Sequence, residues 1–416
     1  MKKITSLFIA LMMLATLVVV PVSVNASGFD GIPATAFAGG TGTEADPYLI
    51  SSAAELKRMS DLFNGTSKDY REKFFKLTAD IDYGNCEWEP IGHKDGYSLK
   101  GGFDGAGHVI RNIKITKPYA EVGFFGYIYG AEVKDLGIEN INIKFKTSGT
   151  NNVGAFIGYN QAGTITNCYV KNATIHQTDT KTKEASFGAF VGMVRSTAQI
   201  ENCYIYDAKI ASSYQAAMGG FVGSLYDTTA VKINNCFAAE VTPIENPAQN
   251  SVYGFGSKNG KSGFTVTNCY STLASAEGTY SDSYTTVYAE SNSLGNAGAS
   301  KADITTYFNT LDGFAVTSDV NGGYPCLVLE VPFEVKSVVN DGNTVTVNVA
   351  RKAGVTTPAT VYVATYDGYG RLVDVKASPV SEADFTFTPD GLVTSETLKV
   401  FVWDGNNIPV ADMYTN

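Results

Sequence analysis

The sequence predicts an all-β protein: a right-handed parallel β-helix with short capping helices, followed by an immunoglobulin- or fibronectin-like β-sandwich. Three observations carry this. First, an Asn-Cys-aromatic triplet recurs at Asn167-Cys168-Tyr169, Asn202-Cys203-Tyr204, Asn235-Cys236-Phe237 and Asn268-Cys269-Tyr270, with the cysteines 35, 33 and 33 residues apart. A fixed period of that length marks stacked repeats. Second, a glycine-aromatic-glycine segment precedes each triplet, as in Gly154-Ala155-Phe156-Ile157-Gly158, Gly188-Ala189-Phe190-Val191-Gly192 and Gly219-Gly220-Phe221-Val222-Gly223. Third, the pattern changes after Val331 to long alternating runs such as Thr344–Val349, Thr360–Ala364 and Leu398–Trp403, separated by turn residues such as Asp341-Gly342-Asn343 and Asp367-Gly368.

In chain order, Lys2 and Lys3 precede an uncharged apolar run from Ile4 to Val20 and then Val24-Asn25-Ala26. This predicts a secretory signal peptide over residues 1–26, cut after Ala26. The C-terminus carries no apolar tail, basic cluster or sortase-type motif, so no membrane insertion is expected after cleavage. Ser52–Asn64 reads as a short amphipathic helix with Leu56, Met59 and Phe63 on one face, capping the solenoid's first coil.

Within the repeat, inward positions advance in twos along strands and in threes at corners. The series Ile165, Cys168, Val170, Ala173, Ile175 and Ile200, Cys203, Ile205, Ala208, Ile210 show it. The Asn before each cysteine falls at a corner, where a left-handed backbone suits it. The same ruler extends back to Val133, Leu136, Ile138, Ile141 and Ile143, and to Ile110, Ile113 and Ile115. It predicts about three strands per coil and an inward ladder of Ile113, Leu136, Cys168, Cys203, Cys236 and Cys269. A second amphipathic helix, Lys301–Leu311, is expected to cap the last coil, closing a solenoid over 27–330. Residues 331–416 then form the sandwich.

These segments resemble the GLUG motif, a glycine-aromatic-glycine strand followed by an Asn-Cys-Tyr strand. The resemblance extends upstream through Ala79-Asp80-Ile81-Asp82, Trp88-Glu89-Pro90-Ile91-Gly92 and Phe103-Asp104-Gly105-Ala106-Gly107-His108, and downstream to Gly322-Gly323-Tyr324-Pro325. It covers roughly residues 36–330 and implies a bacterial secreted or surface protein, adhesin-like. GLUG repeats also occur in accessory regions of peptidases.

The chemistry is sparse. Removing two lysines with the signal peptide leaves 29 basic residues against 41 acidic ones, a net charge of −12 without a basic stripe. That excludes nucleic acid as partner. No His-Glu-x-x-His motif exists, and His93, His108 and His176 lie far apart, so no metal and no cofactor are expected. The ladder cysteines are expected to be reduced apolar fillers, since parallel side chains about 4.8 Å apart do not meet disulfide geometry. If the solenoid is a polysaccharide lyase or glycosidase, the carboxylates to test are Asp80, Asp82 and Asp104, although the resemblance implies loop and corner roles for them. The residue after each cysteine points outward, giving a column of Tyr169, Tyr204, Phe237 and Tyr270. That column is the candidate binding stripe for a glycan or a host or cell-surface protein, its alternative role being mutual stacking that supports the sheet, or burial beneath a loop. Tyr280, Tyr284 and Tyr288 form a second group. The leading expectation is thus a non-catalytic binding surface, with an enzyme or a structural spacer as alternatives.

Overall fold

The computed structural model describes residues 29–415 except 66–67, 94–95, 147–151, 179–185, 213–216, 229, 244–250, 260–263, 274–283, 288–297, 312, 317–320, 328–329, 331–332, 343, 352–358, 368, 370, 393–396 and 405–413. The segment 1–26 expected to be a signal peptide, Tyr280 and Tyr288 therefore lie outside the described residues. Among the described residues no helix is long and apolar enough to cross a membrane.

The repeats stack into a β-solenoid of about five turns, with four strands per coil rather than three. In one coil these are Asn152–Val153, Ile157–Gln161, Thr164–Thr166 and Tyr169–Gln177. Each pairs in parallel with its counterpart on the coils before and after, as Ile165 does with Val133 and Ile200. This builds four walls, here walls 1 to 4 in that order, of five, five, eight and seven parallel strands, with one further antiparallel strand, Tyr284–Val287, at the end of wall 2. The extra wall is the Gly-aromatic-Gly segment, which contributes a two- or three-residue strand, a corner and the start of the next strand.

Corners follow the residue types. Asn167, Asn202, Asn235 and Asn268 have φ of 51°, 52°, 50° and 53°. Their side chains form a ladder: Asn202, Asn235 and Asn268 each donate to the Asn one coil back at 3.2–3.3 Å, and Asn167 donates to Asp135 at 2.9 Å. A second corner bends wall 4 at Asn112, Asn140, Asn172, Asp207 and Glu240, all again with positive φ. This corrects the ladder read from sequence. Ile113 pairs with Ile141, Ala173 aligns with Ile141, and Ala208 with Ala173, so Ile113 follows the second corner and not the cysteine corner. His108 holds the cysteine-equivalent place: its carbonyl accepts from Gly137 N as the Leu136 and Cys168 carbonyls accept from Tyr169 N and Tyr204 N.

The core is a set of stacked columns. Phe156, Phe190, Phe221 and Phe255 lie face to face, with centroids 4.6–5.0 Å apart and interplanar angles of 8–10°. The close backbone beneath them requires glycine: a Cβ on Gly188 would sit 1.9 Å from the Val191 carbonyl oxygen. The six cysteines form no disulfide. Cys168, Cys203, Cys236 and Cys269 are fully buried in this core, and burial pushes the Cys168 and Cys236 thiols up.

Helix α1, Ala53–Asn64, starts at Ser52, whose side chain accepts from Glu55 N, and its Leu56, Met59 and Phe63 join the solenoid core at the first coil. Helix α2, Lys301–Phe308, differs from expectation in place. Its Ile304 and Phe308 pack with the aromatic column outside wall 4, along the flank, and not in the core cluster of the coils. Its amphipathic pattern demands one buried side but does not say which surface buries it.

Beyond the solenoid, a three-stranded sheet (Phe333–Asn340, Val345–Arg351, Asp384–Phe387) and a four-stranded sheet (Leu372–Pro379, Ala359–Tyr366, Thr397–Asp404, Tyr414–Thr415) share a sandwich-like core of Val347, Val349, Val361, Val363, Val400 and Val402. A hairpin of Phe314–Ala315 and Cys326–Leu327 joins the two bodies. Phe314 and Leu327 belong to the cluster on wall 4, and Ala315 and Cys326 to the core of the C-terminal module. Strand alternation thus sends one face of the hairpin into each body.

Candidate functional site

The column beside the cysteines does form, and it is covered. Tyr169, Tyr204 and Phe237 stack with centroids 5.4 and 4.8 Å apart and planes within 7°. Tyr169, Tyr204, Phe237 and Tyr270 are only 0–3% exposed, because α2 and the hairpin lie over them. Phe308 packs at 4.9 Å from Phe237 and 5.6 Å from Tyr270, and Tyr307 donates to Asn235 at 2.9 Å. The expectation of an outward face available to a ligand is corrected by this cover, which comes from a distant part of the chain.

Glu330 is the polar pin of that cover. Its carboxylate, 4% exposed, pairs with Lys171 and accepts from the Tyr204 hydroxyl at 2.7 and 2.8 Å and from Leu327 N at 2.6 Å. Asn321 donates to the same tyrosine oxygen at 3.0 Å. Burial first, and the Glu330 carboxylate second, push the Tyr204 hydroxyl far up, so it remains a donor.

The three carboxylates weighed for catalysis hold the first coils together. Asp82 accepts from Gly84 N and Asn112 Nδ2, both at 2.8 Å. Asp104 accepts from Ala106 N at 2.7 Å and pairs with Lys76 at 3.3 Å. Asp80 lies 3.0 Å from His108 Nδ1, 3.2 Å from Val109 N and 3.1 Å from Arg111, which itself donates to Glu139 at 2.7 Å. Partial burial acts to raise the Asp80 carboxyl, but the hydrogen bonds from His108, Arg111 and Val109 outweigh it and hold the group well below the usual carboxylate range. A lowered carboxyl stabilises the fold above its unfolded value of 3.8, and that contribution is lost as pH falls through the folded value. Asp80→Asn is therefore expected to be less stable than the parent protein near neutral pH, with the gap closing in acid. Urea midpoints across a pH series measure it. The effect is small, because Asp80 is 48% exposed.

A cavity of about 100 Å³ opens on the outside of wall 3 between Glu44, Phe74, Asp104, Glu132 and Lys134. It is below the roughly 300–1,000 Å³ of small-molecule sites, and Lys134 is paired with Glu132 at 3.2 Å.

The outer face of wall 2 is different. Successive strands place Tyr127, Tyr159 and Met193 in one outward row, continued by the buried Ser224, and Tyr129, Gln161, Arg195 and Tyr226 in the next. Tyr127 and Tyr159 stack at 4.7 Å, and both hydroxyls donate to Gln161 Oε1, at 2.5 and 3.3 Å. Tyr129 and Tyr226 are 44% and 39% exposed. Lys100 lies 5.4 Å over the Tyr129 ring and the Arg195 guanidinium 5.6 Å over that of Tyr226. Rings, an amide and cations thus share one solvent-facing strip of the solenoid. Its sequence signal is the alternation after the second glycine, in Gly126-Tyr127-Ile128-Tyr129 and Gly158-Tyr159-Asn160-Gln161, where Ile128 and Asn160 are buried. The repeat triplets are more regular, and they mark wall 4 instead. Tyr284 begins a strand, Tyr284–Val287, that pairs antiparallel with the last strand of this wall.

The family model of the GLUG motif matches residues 149–175, which are the Gly-aromatic-Gly corner and Asn-Cys-Tyr strand of one coil. Halomucin of Haloquadratum walsbyi is 34% identical over 151 residues, 33% of this chain and 2% of that protein. A protein of Evansella cellulosilytica named "Putative Gly-rich membrane protein" is 34% identical over 93 residues, 22% of this chain and 11% of that protein. The chain thus spans only a small part of the length of these relatives. No solved structure matches. The matched coil has the same walls, corners and ladders as its neighbours, so the chain carries a GLUG motif within a stack of like coils.

Proposed function

We propose that this is a secreted or cell-surface protein whose solenoid binds glycan chains through the outer face of wall 2, without catalysing a reaction on them. The observation that carries the reading is the strip of Tyr129, Gln161, Arg195 and Tyr226 beside Tyr127 and Tyr159. Aromatic rings pack against the apolar faces of sugars, while amide and guanidinium groups bond their hydroxyls. A parallel stack repeats such groups at the inter-strand spacing, so a linear polymer is met by successive coils. Export after cleavage at Ala26 belongs to the same reading and is supported by the leader pattern and by the similarity to halomucin and to a protein named as a membrane protein. For the second module we propose an immunoglobulin- or fibronectin-like sandwich. In support, its first, second and fifth strands form one sheet and its third, fourth, sixth and seventh the other.

The test is a glycan and polysaccharide array probed with the mature protein. Tyr129→Ala/Tyr226→Ala is expected to weaken binding roughly tenfold or more, from about 1.5 kcal/mol or more for the two rings together. Tyr204→Phe, in the covered column, should lower stability and leave binding intact. Unchanged binding by the double variant, with loss in the column variant, would reverse the assignment. Release of sugar fragments by the parent protein would favour the lyase or hydrolase alternative.

A further inference from the structure

The four-stranded sheet of the C-terminal module has two unlike edges. One is the two-residue strand Tyr414–Thr415, whereas Leu372–Pro379 is outermost on the other and, among the described residues, pairs only inward with Ala359–Tyr366. The open strand is eight residues long, and its Leu372, Val373 and Val375 are 56%, 45% and 44% exposed. A long apolar edge is a template for another strand unless something blocks it. Here the only charges are Asp374 and Lys376, which lie opposite the buried Thr365 and Val363 and form an ion pair of 3.3 Å along their own strand.

We propose that this edge pairs with the same edge of a second copy of the chain, antiparallel, about a twofold axis at Val375. The charges select that arrangement. Centred on Val375, each Asp374 faces a Lys376, Val373 faces Ala377, and the two Val375 residues face each other. Centring on Asp374 or on Lys376 sets like charges opposite, as does parallel in-register pairing, and such contacts are destabilising. A centre between two residues turns each strand's apolar row toward the other's charged row. The Val375 N–H, held at 2.8 Å by Asp374 Oδ1, is the amide that pairing redirects to the facing strand. Pro379, which has no N–H, ends the ladder. The two four-stranded sheets become one continuous sheet, and each solenoid is carried on one half of the pair.

Sedimentation equilibrium of the mature full chain tests this. The parent protein should show a concentration-dependent monomer–dimer equilibrium. Asp374→Lys alone and Lys376→Asp alone should each weaken self-association roughly tenfold or more, since both symmetric contacts become repulsive. Mixing the two single variants should restore dimers, because the mixed pair has opposite charges at both contacts. Rescue in the mixture also excludes misfolding as the cause of dissociation. A parent protein that is monomeric at every concentration, or a mixture as dissociated as either variant alone, would overturn the proposal.

Discussion

Phe190→Ala is expected to lower the unfolding free energy of the solenoid by about 3–5 kcal/mol. The ring lies between Phe156 at 4.8 Å and Phe221 at 4.6 Å, is fully buried, and belongs to a column held by backbone ladders on both sides. Most cores soften such a loss by letting neighbours settle into the space. Here the coils are fixed at the strand spacing, so the cavity persists and its lining loses contacts on two faces. Guanidinium unfolding followed by far-UV circular dichroism gives the loss directly. Phe190→Leu should recover part of it. A change below about 1 kcal/mol would mean that the column relaxes, contrary to a rigid stack.

Glu330→Ala is expected to cost about 3–5 kcal/mol, because it strands a partly buried cation and two buried donors at once. Lys171, with a side chain 19% exposed, loses its partner, and Tyr204 Oη and Leu327 N lose their acceptor. The cost should fall on the flank cover and the module beyond it more than on the coils. Limited proteolysis should accordingly cut the variant between α2 and the C-terminal module well before the parent protein is cut. The companion variant Lys171→Met/Glu330→Leu removes both charges and should recover much of the stability. If Glu330→Ala resists protease as the parent does, the carboxylate is not what pins the cover.

The parts of the fold legible in sequence are those set by nearest neighbours along the chain. Steps of two and three place Cys168 and Cys203 inward, and the left-handed Asn before each follows from local sterics. The corner to which Ile113 belongs is ambiguous in sequence because both corners of wall 4 carry the same Asn-then-apolar grammar, and Gly105-Ala106-Gly107-His108 makes an extra turn that shifts the count. Burial of Tyr204 beneath a cover is among the readings its repeat offers, but the source of the cover is not legible there. It is decided by Glu330 and Asn321, more than a hundred residues away, and no local pattern encodes what a strap will cover. The exposed tyrosines of wall 2 were readable from alternation, but a single outward Tyr looks like any other until the register aligns Tyr127 with Tyr159 and Tyr129 with Tyr226.

The strap also limits how the gene can lengthen or shorten the protein. Recombination between two repeats adds or deletes one whole coil, and because every coil shares its corners, each ladder closes up in register. Upstream of Tyr169 such an event would leave the flank untouched. Between Lys171 and Glu240 it would not, since Glu330 grips Lys171 and Tyr204 while Tyr324 donates to Glu240 two coils further on, at 2.7 Å. Those coils are measured against a ruler of fixed length. Variation in repeat number among descendants of this gene should therefore be confined to the N-terminal side of the strap.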